Sequence, residues 1–292
     1  MRCLDCEAIT LDASRQQYDA LNPTYDPGPL SGLEEPEALR RYLAVEDKKA
    51  FLRPLLEGVA SPCKVLDVGC GAGGYLLAAQ ELGCEACGIE PSEDHSTLGR
   101  KLGLSIRPGY FSEGVFPEAS FDVILLSHVI EHIYSPRPFI EALIKVLRPG
   151  GKLVVVTPNS ASVVAALSGK WWVMLKPVDH VSMLSENSYR AMKLEGFGTV
   201  EFSQSEYPWE SAASLASAGR DAVRGLLSHS PTRGATTGME PKVNRASSSG
   251  LPWQSVWSRA RGVLKLIGLP IHQLAVAQGR QACLIMTLTR AS

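Results

Sequence analysis

The stretch Val65-Leu66-Asp67-Val68-Gly69-Cys70-Gly71-Ala72-Gly73-Gly74 decides the fold. Apolar residues on both sides of Asp67 predict a strand that is buried on both faces, and the glycines after it predict a tight turn into a helix. Because glycine lacks a Cβ, the backbone of such a turn can lie close to a ligand at the start of the helix. Gly69, Gly71 and Gly74 satisfy the G-x-G-x-x-G spacing, which is typical of sites for adenosine-containing cofactors.

Two carboxylates flank this turn in the sequence. Glu90 follows the next predicted strand, residues 86–89, where a carboxylate can accept hydrogen bonds from both ribose hydroxyls of an adenosine. Asp67 can hold a ligand ammonium, whereas its charge would repel the pyrophosphate of a dinucleotide. The turn therefore indicates an adenosine cofactor, and a nicotinamide-dependent oxidoreductase remains an alternative at this point.

Outward from the turn, short β-branched runs alternate with helical periods over residues 64–159, which predicts a parallel sheet with crossover helices. Further strands are predicted at residues 104–107, 121–126, 152–157, 200–202 and 281–289. Helices are predicted at residues 37–59, 75–82, 92–102, 139–147 and 185–194, the last of them capped by Ser185 and stopped by Gly196.

Composition limits the class of protein. The 292 residues allow one large or two small domains, and 45% hydrophobic with 20% charged residues is globular usage rather than a disordered or collagen-like composition. Apolar runs reach about five residues, too short for a membrane-spanning helix. The start lacks the apolar stretch of a secretory signal, and the seven cysteines are scattered. We therefore predict a cytoplasmic protein without a disulfide framework.

Charge divides the chain into an acidic and a basic part. Residues 1–206 carry 19 Lys and Arg against 27 Asp and Glu, whereas residues 207–292 carry 10 against 3. A predicted helix over 253–267 places tryptophans on an apolar stripe and cations elsewhere, which suits peripheral membrane contact, core packing or a dimer contact. We predict four segments: an N-terminal segment 1–44, a core 45–206, an inserted loop and helix 207–278, and a closing strand 279–292.

Two further motifs accompany the glycine turn. Ser127-His128-Val129-Ile130-Glu131-His132 follows one predicted strand, and Leu147-Arg148-Pro149-Gly150-Gly151-Lys152-Leu153 opens another. Together the motifs resemble the class I S-adenosylmethionine-dependent methyltransferases over about residues 45–205, especially the small-molecule enzymes of quinone biosynthesis and sugar methylation. The resemblance implies an α/β fold: a Rossmann-like, seven-stranded, mostly parallel sheet with helices on both faces and an antiparallel last hairpin. It also implies S-adenosylmethionine as the cofactor.

The resemblance also assigns roles to residues. Asp67 is expected to face the amino group of the cofactor, Glu90 to bind its ribose, and Ser127 to border the sulfonium. The full set of expected cofactor-binding residues is Asp67, Gly69, Cys70, Gly71, Gly73, Glu90, Pro91, Tyr110, Ser127 and His128. Where many relatives have Gly-Asp to hold the adenine amino group, this chain has Gly109-Tyr110, so Tyr110 or Phe111 would offer an aromatic wall instead.

Methyl transfer needs a general base only if the acceptor must lose a proton. An imidazole titrates near neutral pH, so His128, His132 and His180, the last beside Asp179, are the candidate catalytic residues. His128 is expected nearest the methyl group, whereas His132 serves equally well as a structural hydrogen-bonding residue. The apolar run at 171–175 is either a lid over the acceptor or a segment packed on the domain's own surface.

Cysteine pairs raise the question of a metal. Cys3-x-x-Cys6 has knuckle spacing and resembles the second half of a zinc ribbon that precedes some methyltransferases, but two thiolates cannot complete a tetrahedral site. Cys84 and Cys87, three residues apart on a strand, would point to opposite faces. We therefore predict no metal, and a packing role for the Cys70 thiol.

These features predict S-adenosylmethionine-dependent methyl transfer to a small-molecule acceptor, of glycan, lipid, quinone or polyketide-like type. No nucleic-acid partner is expected, because the chain has no Asn-Pro-Pro-Tyr type of base-flipping motif at residues 127–130. The alternatives are the nicotinamide-dependent oxidoreductase and a noncatalytic, methyltransferase-like binding module.

Overall fold

A computed structural model describes residues 1–12, 14, 16–17, 36–176, 179–205, 270 and 273–291 of the chain. The loop and the amphipathic helix predicted within residues 207–267 lie outside these ranges. Within them, no helix is long and apolar enough to cross a membrane.

Helices and strands alternate through the described residues. The helices are α1 (Pro36–Tyr42), α2 (Val45–Leu56), α3 (Gly74–Glu81), α4 (Glu93–Lys101), α5 (Pro136–Val146), α6 (Val163–Ser168) and α7 (Glu186–Ala191). The strands are β1 (Ile9–Thr10), β2 (Lys64–Val68), β3 (Glu85–Glu90), β4 (Ser105–Pro108), β5 (Phe121–Ser127), β6 (Leu147–Pro158), β7 (Ser182–Met183), β8 (Phe197–Ser205) and β9 (Cys283–Arg290). Ile130–His132 and Gly169–Trp171 are short 3₁₀ helices.

Seven strands form one sheet in the order β4-β3-β2-β5-β6-β9-β8. The pairs from β4 to β6 are parallel, whereas β9 runs antiparallel between β6 and β8. β1 and β7 form a separate antiparallel pair. The predicted fold class is confirmed, including the antiparallel last hairpin.

Apolar side chains fill both faces of the sheet. One cluster packs α5 against residues such as Ile124 and Val155, and the other packs α2 and α3 against residues such as Val65 and Val154. Alternate residues of the same strands supply the two clusters, as the period of a strand requires. Burial on both faces explains why these strands appear in the sequence as continuous apolar runs.

Three predicted boundaries differ from the structure. The helix predicted over 37–59 is broken between α1 and α2, because Ala44 adopts the left-handed conformation at φ 47°. α5 begins at Pro136, since proline lacks the N–H that the first turn of a helix leaves unbonded. β6 begins at Leu147, so the Arg148–Gly151 motif belongs to an irregular start of this strand.

The prediction of no disulfide was wrong. Cys63 and Cys84 form a disulfide between the residues that precede β2 and β3. Pairing of these adjacent parallel strands brings the two Cα atoms within 4.9 Å of each other. A separation of 21 residues in the sequence concealed this proximity, which only the strand order reveals.

Gly73 and Gly83 provide a matched test of packing beside the turn. Both have φ near +85°, where any other residue is strained, but a Cβ on Gly73 would lie 2.4 Å from Leu104 Cδ1, whereas one on Gly83 would meet nothing within 4 Å. We expect Gly83→Ala to lower the free energy of unfolding by about 1–2 kcal/mol. Gly73→Ala should cost about 1–3 kcal/mol more, from overpacking. Urea denaturation of both variants measures the difference, and equal losses would contradict the packing described here.

Candidate cofactor and acceptor site

Asp67 and Glu90 lie at the carboxyl ends of two neighbouring parallel strands. Asp67 pairs with Gly88 in the register of β2 and β3, and Glu90 is the last residue of β3. Ligands of open α/β sheets bind outside this edge, where adjacent crossovers lie on opposite faces. In the strand order, β2 lies between β3 and β5. The chain therefore leaves β2 toward one side of the sheet, to β3, and later returns from β4 to β5 on the other side of β2, which makes the ends of β2 and β5 the switch point of the sheet.

The carboxyl group of Asp67 is buried and incompletely bonded. Asp67 is 2% exposed, and its Oδ1 has no hydrogen-bond partner among the described residues. Burial raises the pKa of Asp67 to about 8; the charge of Lys48 opposes this rise, and that of Glu90 adds to it. An unpartnered buried oxygen is costly, so the site is suited to a ligand that donates to it.

Glu90 is also buried, and its carboxylate points toward the glycine turn. Oε2 accepts from the Gly71 N–H at 2.7 Å, and Oε1 accepts from the Ser92 N–H at 2.8 Å. An ionised carboxylate has about four acceptor positions, so two backbone bonds leave capacity for further donors. Glu90 thus fixes the turn and can still accept hydrogen bonds from hydroxyl groups.

The glycines of the turn have different roles. A Cβ on Gly69 would lie 2.5 Å from Val129 Cγ2, so Gly69 makes room for the segment after β5. A Cβ on Gly71 would meet only His95, at 3.8 Å, so the open surface lies at Gly71. The N–H groups of Gly69 and Cys70 donate to Ile89 O. A ligand can therefore approach the backbone closely at Gly71. The N–H groups of Gly69 and Cys70 are already bonded within the protein.

His128 stands directly after β5 in a left-handed conformation, at φ 56°. Its Nδ1 lies 3.2 Å from Oε1 of Glu131, which is fully buried, while the His128 side chain is 40% exposed. Glu131 Oε2 accepts from Thr157 Oγ1 at 3.1 Å. Burial raises the pKa of Tyr75, at the start of α3, to about 12, and the neighbouring Ser127 side chain opposes this rise. β5, β6 and α3 thus hold the expected sulfonium side of the site together.

Glu131 is fully buried rather than exposed to solvent. Burial opposes its ionisation, but the hydrogen bond from His128 and the charges of His128 and His132 lower its pKa overall. An ionised carboxylate can only accept, so Nδ1 of His128 donates to Glu131. Glu131 therefore orients His128 in the way that an acid orients a catalytic imidazole.

His132 and His180 lie beside this pair, with ring centroids 4.8 Å apart. Asp179 contacts His132, from Oδ1 to Nδ1 at 3.0 Å, more closely than its sequence neighbour His180, at 3.8 Å. His180 is buried, its Nδ1 donates to Met174 O at 2.6 Å, and burial lowers its pKa. Donor atoms of Glu131, His132 and His180 lie within 4.8 Å of one another, so these residues could hold a metal ion, although we predicted none.

Other predicted residues are less directly placed. Cys70 is buried, and its Sγ fills the space beside Gly88, where a Cβ would come within 2.5 Å; burial raises the pKa of this thiol strongly. Pro91 follows Glu90 directly. Tyr110 is 72% exposed, whereas Phe111 is buried and packs edge-on against Phe139. Tyr110 alone of the two aromatics is thus available as a wall for adenine.

The apolar run at 171–175 is partly packed on its own domain. Trp172 is 1% exposed and lies in a cluster with Val164 and Met183. Trp171 is half-buried, and the ammonium of Lys170 lies 4.6 Å from its ring centroid. The structure thus favours the packed alternative for Trp172.

Two residues near the site, Lys48 and His95, were missed in the sequence. Lys48 of α2 donates to Leu43 O at 2.7 Å, lies over the Tyr75 ring, and is the cation that acts on Asp67. His95 is buried beside Gly71, with Nδ1 3.2 Å from Ser92 Oγ. Neither position carries a motif, since α2 and α4 reach the turn only in the folded chain.

A comparison with protein families identifies the family of this chain. The family model described as "Methyltransferase domain" matches residues 37–201, more than half of the chain. The chain belongs to this methyltransferase family. With its seven-stranded sheet and reversed last hairpin, it is a class I S-adenosylmethionine-dependent methyltransferase.

Curated methyltransferases match parts of the chain. It is 34% identical over 122 residues to the ubiquinone biosynthesis O-methyltransferase of Rhizobium etli, which covers 40% of this chain and 47% of that protein. It is 23% identical over 241 residues to the "probable tocopherol O-methyltransferase, chloroplastic" of Oryza sativa subsp. japonica, covering 70% of this chain and 64% of that protein. The matches thus span from about half to under two thirds of these relatives.

Solved methyltransferase structures share the fold. A SAM dependent methyltransferase from Archaeoglobus fulgidus superposes with a TM-score of 0.51 at 18% identity, over 84% of this chain and 94% of that one. At this identity the likeness concerns the fold alone.

The residues of this methyltransferase fit S-adenosylmethionine. The unpartnered Oδ1 of Asp67 can accept from an ammonium, the remaining acceptor capacity of Glu90 from a ribose diol, and Gly71 leaves open space between them. A pyrophosphate would instead bring negative charge toward two buried carboxyl groups. The same residues thus disfavour the nicotinamide alternative.

Proposed function

We propose that this chain transfers a methyl group from S-adenosylmethionine to a hydroxyl group of a small aromatic molecule related to quinols. The observation that carries the proposal is the buried Asp67–Glu90 pair around the open surface at Gly71, in a chain of the methyltransferase family. The names of the two curated relatives, a quinone and a tocopherol O-methyltransferase, support the acceptor class.

Each residue of the site has a separate task in this proposal. Asp67 binds the ammonium of the cofactor, Glu90 its ribose, and Tyr110 its adenine. The cofactor supplies a methyl group activated by the positive sulfur. His128, oriented by Glu131 at 3.2 Å, takes the proton from the acceptor hydroxyl. His132 and His180 border the acceptor rather than remove its proton.

The remaining work of the protein is alignment of the acceptor and exclusion of water. Glu131, which contacts His128, is fully buried, and so is Thr157, which donates a hydrogen bond to Glu131. A noncatalytic binding module would not need His128 to be oriented by Glu131, so this contact favours an enzyme over that alternative.

Glu90 provides the first test of cofactor binding. We expect Glu90→Gln to weaken S-adenosylmethionine binding by about 1–3 kcal/mol, because an amide accepts fewer hydroxyl hydrogen bonds than a carboxylate. Isothermal titration calorimetry measures this change, with Glu85→Gln, at the exposed start of the same strand, as the control. Unchanged affinity in Glu90→Gln would refute the ribose assignment.

The acceptor class is tested separately, by measuring methyl transfer to a panel of catechols and quinols.

A further inference from the structure

The side chain of Lys48, from α2, lies against the point where the glycine turn enters α3. A Cβ on Gly74, the first residue of α3, would lie 2.8 Å from Lys48 Cε and 3.0 Å from Lys48 Cδ. The Lys48 ammonium lies 5.2 Å from the centroid of the Tyr75 ring. Gly74 therefore leaves room for the lysine, and the lysine brings a positive charge to the end of the turn.

The Lys48 ammonium is anchored, but only part of its hydrogen-bonding capacity is used. Nζ donates to Leu43 O at 2.7 Å, at the corner where Ala44 separates α1 from α2. An ammonium has three N–H donors, so two remain for a ligand. The side chain is half-buried, and burial lowers the pKa of Lys48 while the charge of Asp67 opposes this change. A cation that is partly withdrawn from water and has donors to spare is suited to an anionic group.

Asp67 offers the complementary half of such a site. Its side chain is 2% exposed, and its Oδ1 has no hydrogen-bond partner among the described residues. Lys48 donates to Leu43 O rather than to this oxygen, although the charge of each residue acts on the other. A buried acceptor and an ammonium with open donors thus lie at the two ends of the glycine turn. A ligand that carries an ammonium and a carboxylate close together complements both.

We propose that Lys48 binds the carboxylate of the amino-acid part of S-adenosylmethionine while Asp67 binds its ammonium. The inference rests on the proposed function and adds to it a residue that determines which form of the nucleoside is bound. Both ionic groups stand on the same carbon of the cofactor, so a cation that binds the carboxylate has to lie near Asp67. A nucleoside that keeps the ammonium and lacks the carboxylate would leave Lys48 without a partner.

Isothermal titration calorimetry with three nucleosides tests this assignment. S-adenosylmethionine carries both ionic groups, decarboxylated S-adenosylmethionine keeps only the ammonium, and methylthioadenosine has neither. In Lys48→Met, which keeps an apolar chain against Gly74, we expect the ratio of the first affinity to the second to fall by about 10-fold or more. Affinity for methylthioadenosine should stay at the parent value, which shows that the fold and the adenosine part of the site are intact.

Lys49→Met is the matched control, because Lys49 is the next residue of α2 and pairs with Glu46 and Glu81. It should leave the ratio unchanged, and Lys48→Arg, which retains the cation, should keep most of the parent's preference for S-adenosylmethionine. A loss in Lys49→Met as large as that in Lys48→Met would show a general effect of charge and would exclude a specific contact.

An unchanged ratio in Lys48→Met would also overturn the inference. If both affinities fell together, Lys48 would act only through the charge of Asp67, and if neither fell, Lys48 would not contact the cofactor. Failure of the proposed function looks different, since the parent chain itself would then bind neither S-adenosylmethionine nor methylthioadenosine.

Discussion

Replacing Asp67 by Asn should remove most S-adenosylmethionine binding and, in the same variant, stabilise the cofactor-free chain at alkaline pH. Asparagine has the size of a protonated aspartic acid but cannot offer a negative charge to an ammonium. Loss of one partner from a buried charged pair costs about 2–5 kcal/mol, which is about 30-fold or more in affinity. A variant that binds the cofactor as tightly as the parent chain would refute the ammonium assignment.

The gain in stability follows from the pKa of the same residue. The pKa of Asp67 is about 8 in the folded chain, against about 3.9 for an aspartate in an unfolded chain. The folded state therefore keeps a proton that the unfolded state releases, and the free energy of unfolding falls as pH rises from about 4 to 8. Asp67→Asn lacks this loss. Its free energy of unfolding should therefore exceed that of the parent chain by about 2–5 kcal/mol at pH 8 and equal it near pH 4.

Chemical denaturation at several pH values measures this difference. Asp47→Asn, an exposed change on α2, is the control and should leave the pH dependence as it was. Calorimetry in buffers of different ionisation enthalpy adds a second readout, because the parent Asp67 should release a proton when the ammonium binds at pH 7. Equal pH dependence of Asp67→Asn and the parent chain would contradict the protonated state of Asp67.

Local patterns were enough to predict the sheet, and they predicted a site at the edge where Asp67 and Glu90 lie. The apolar run at Val65–Val68 and the acid at Glu90 each report a local requirement: burial on both faces of a strand, and a carboxylate at a strand end. Ser185 was likewise predicted as a helix cap, and its Oγ accepts from the Ser188 N–H. Features of this kind depend on neighbours in the sequence, so a single chain reveals them.

Contacts between distant segments could not be predicted in the same way. The Cys63–Cys84 disulfide depends on strand order, and the effect of Lys48 on Asp67 depends on how α2 crosses the turn. The distinct roles of Gly69 and Gly71 follow from which side chain lies opposite each one. The closer histidine partner of Asp179 is His132 rather than the adjacent His180.

The contact between His128 and Glu131 leads to the second large effect. His128→Asn should lower kcat by about 10²–10⁴-fold for an acceptor hydroxyl that must be deprotonated, the usual contribution of a positioned base. Asparagine is chosen because it tolerates the left-handed backbone at φ 56°, so the fold is kept. Cofactor affinity should remain at the parent value, since the change removes a proton acceptor rather than a binding charge.

Substitutions at neighbouring residues separate a base from a structural histidine. Glu131→Gln should give a smaller loss of kcat, because it weakens the orientation of His128 and leaves the imidazole in place. His180→Asn should mainly lower the free energy of unfolding, because His180 is buried and bonded to Met174 O. Steady-state kinetics with a methylated quinol product as the readout measures kcat of the variants. Chemical denaturation measures the free energy of unfolding of His180→Asn. Full kcat in His128→Asn would mean that the acceptor loses its proton without help from this residue.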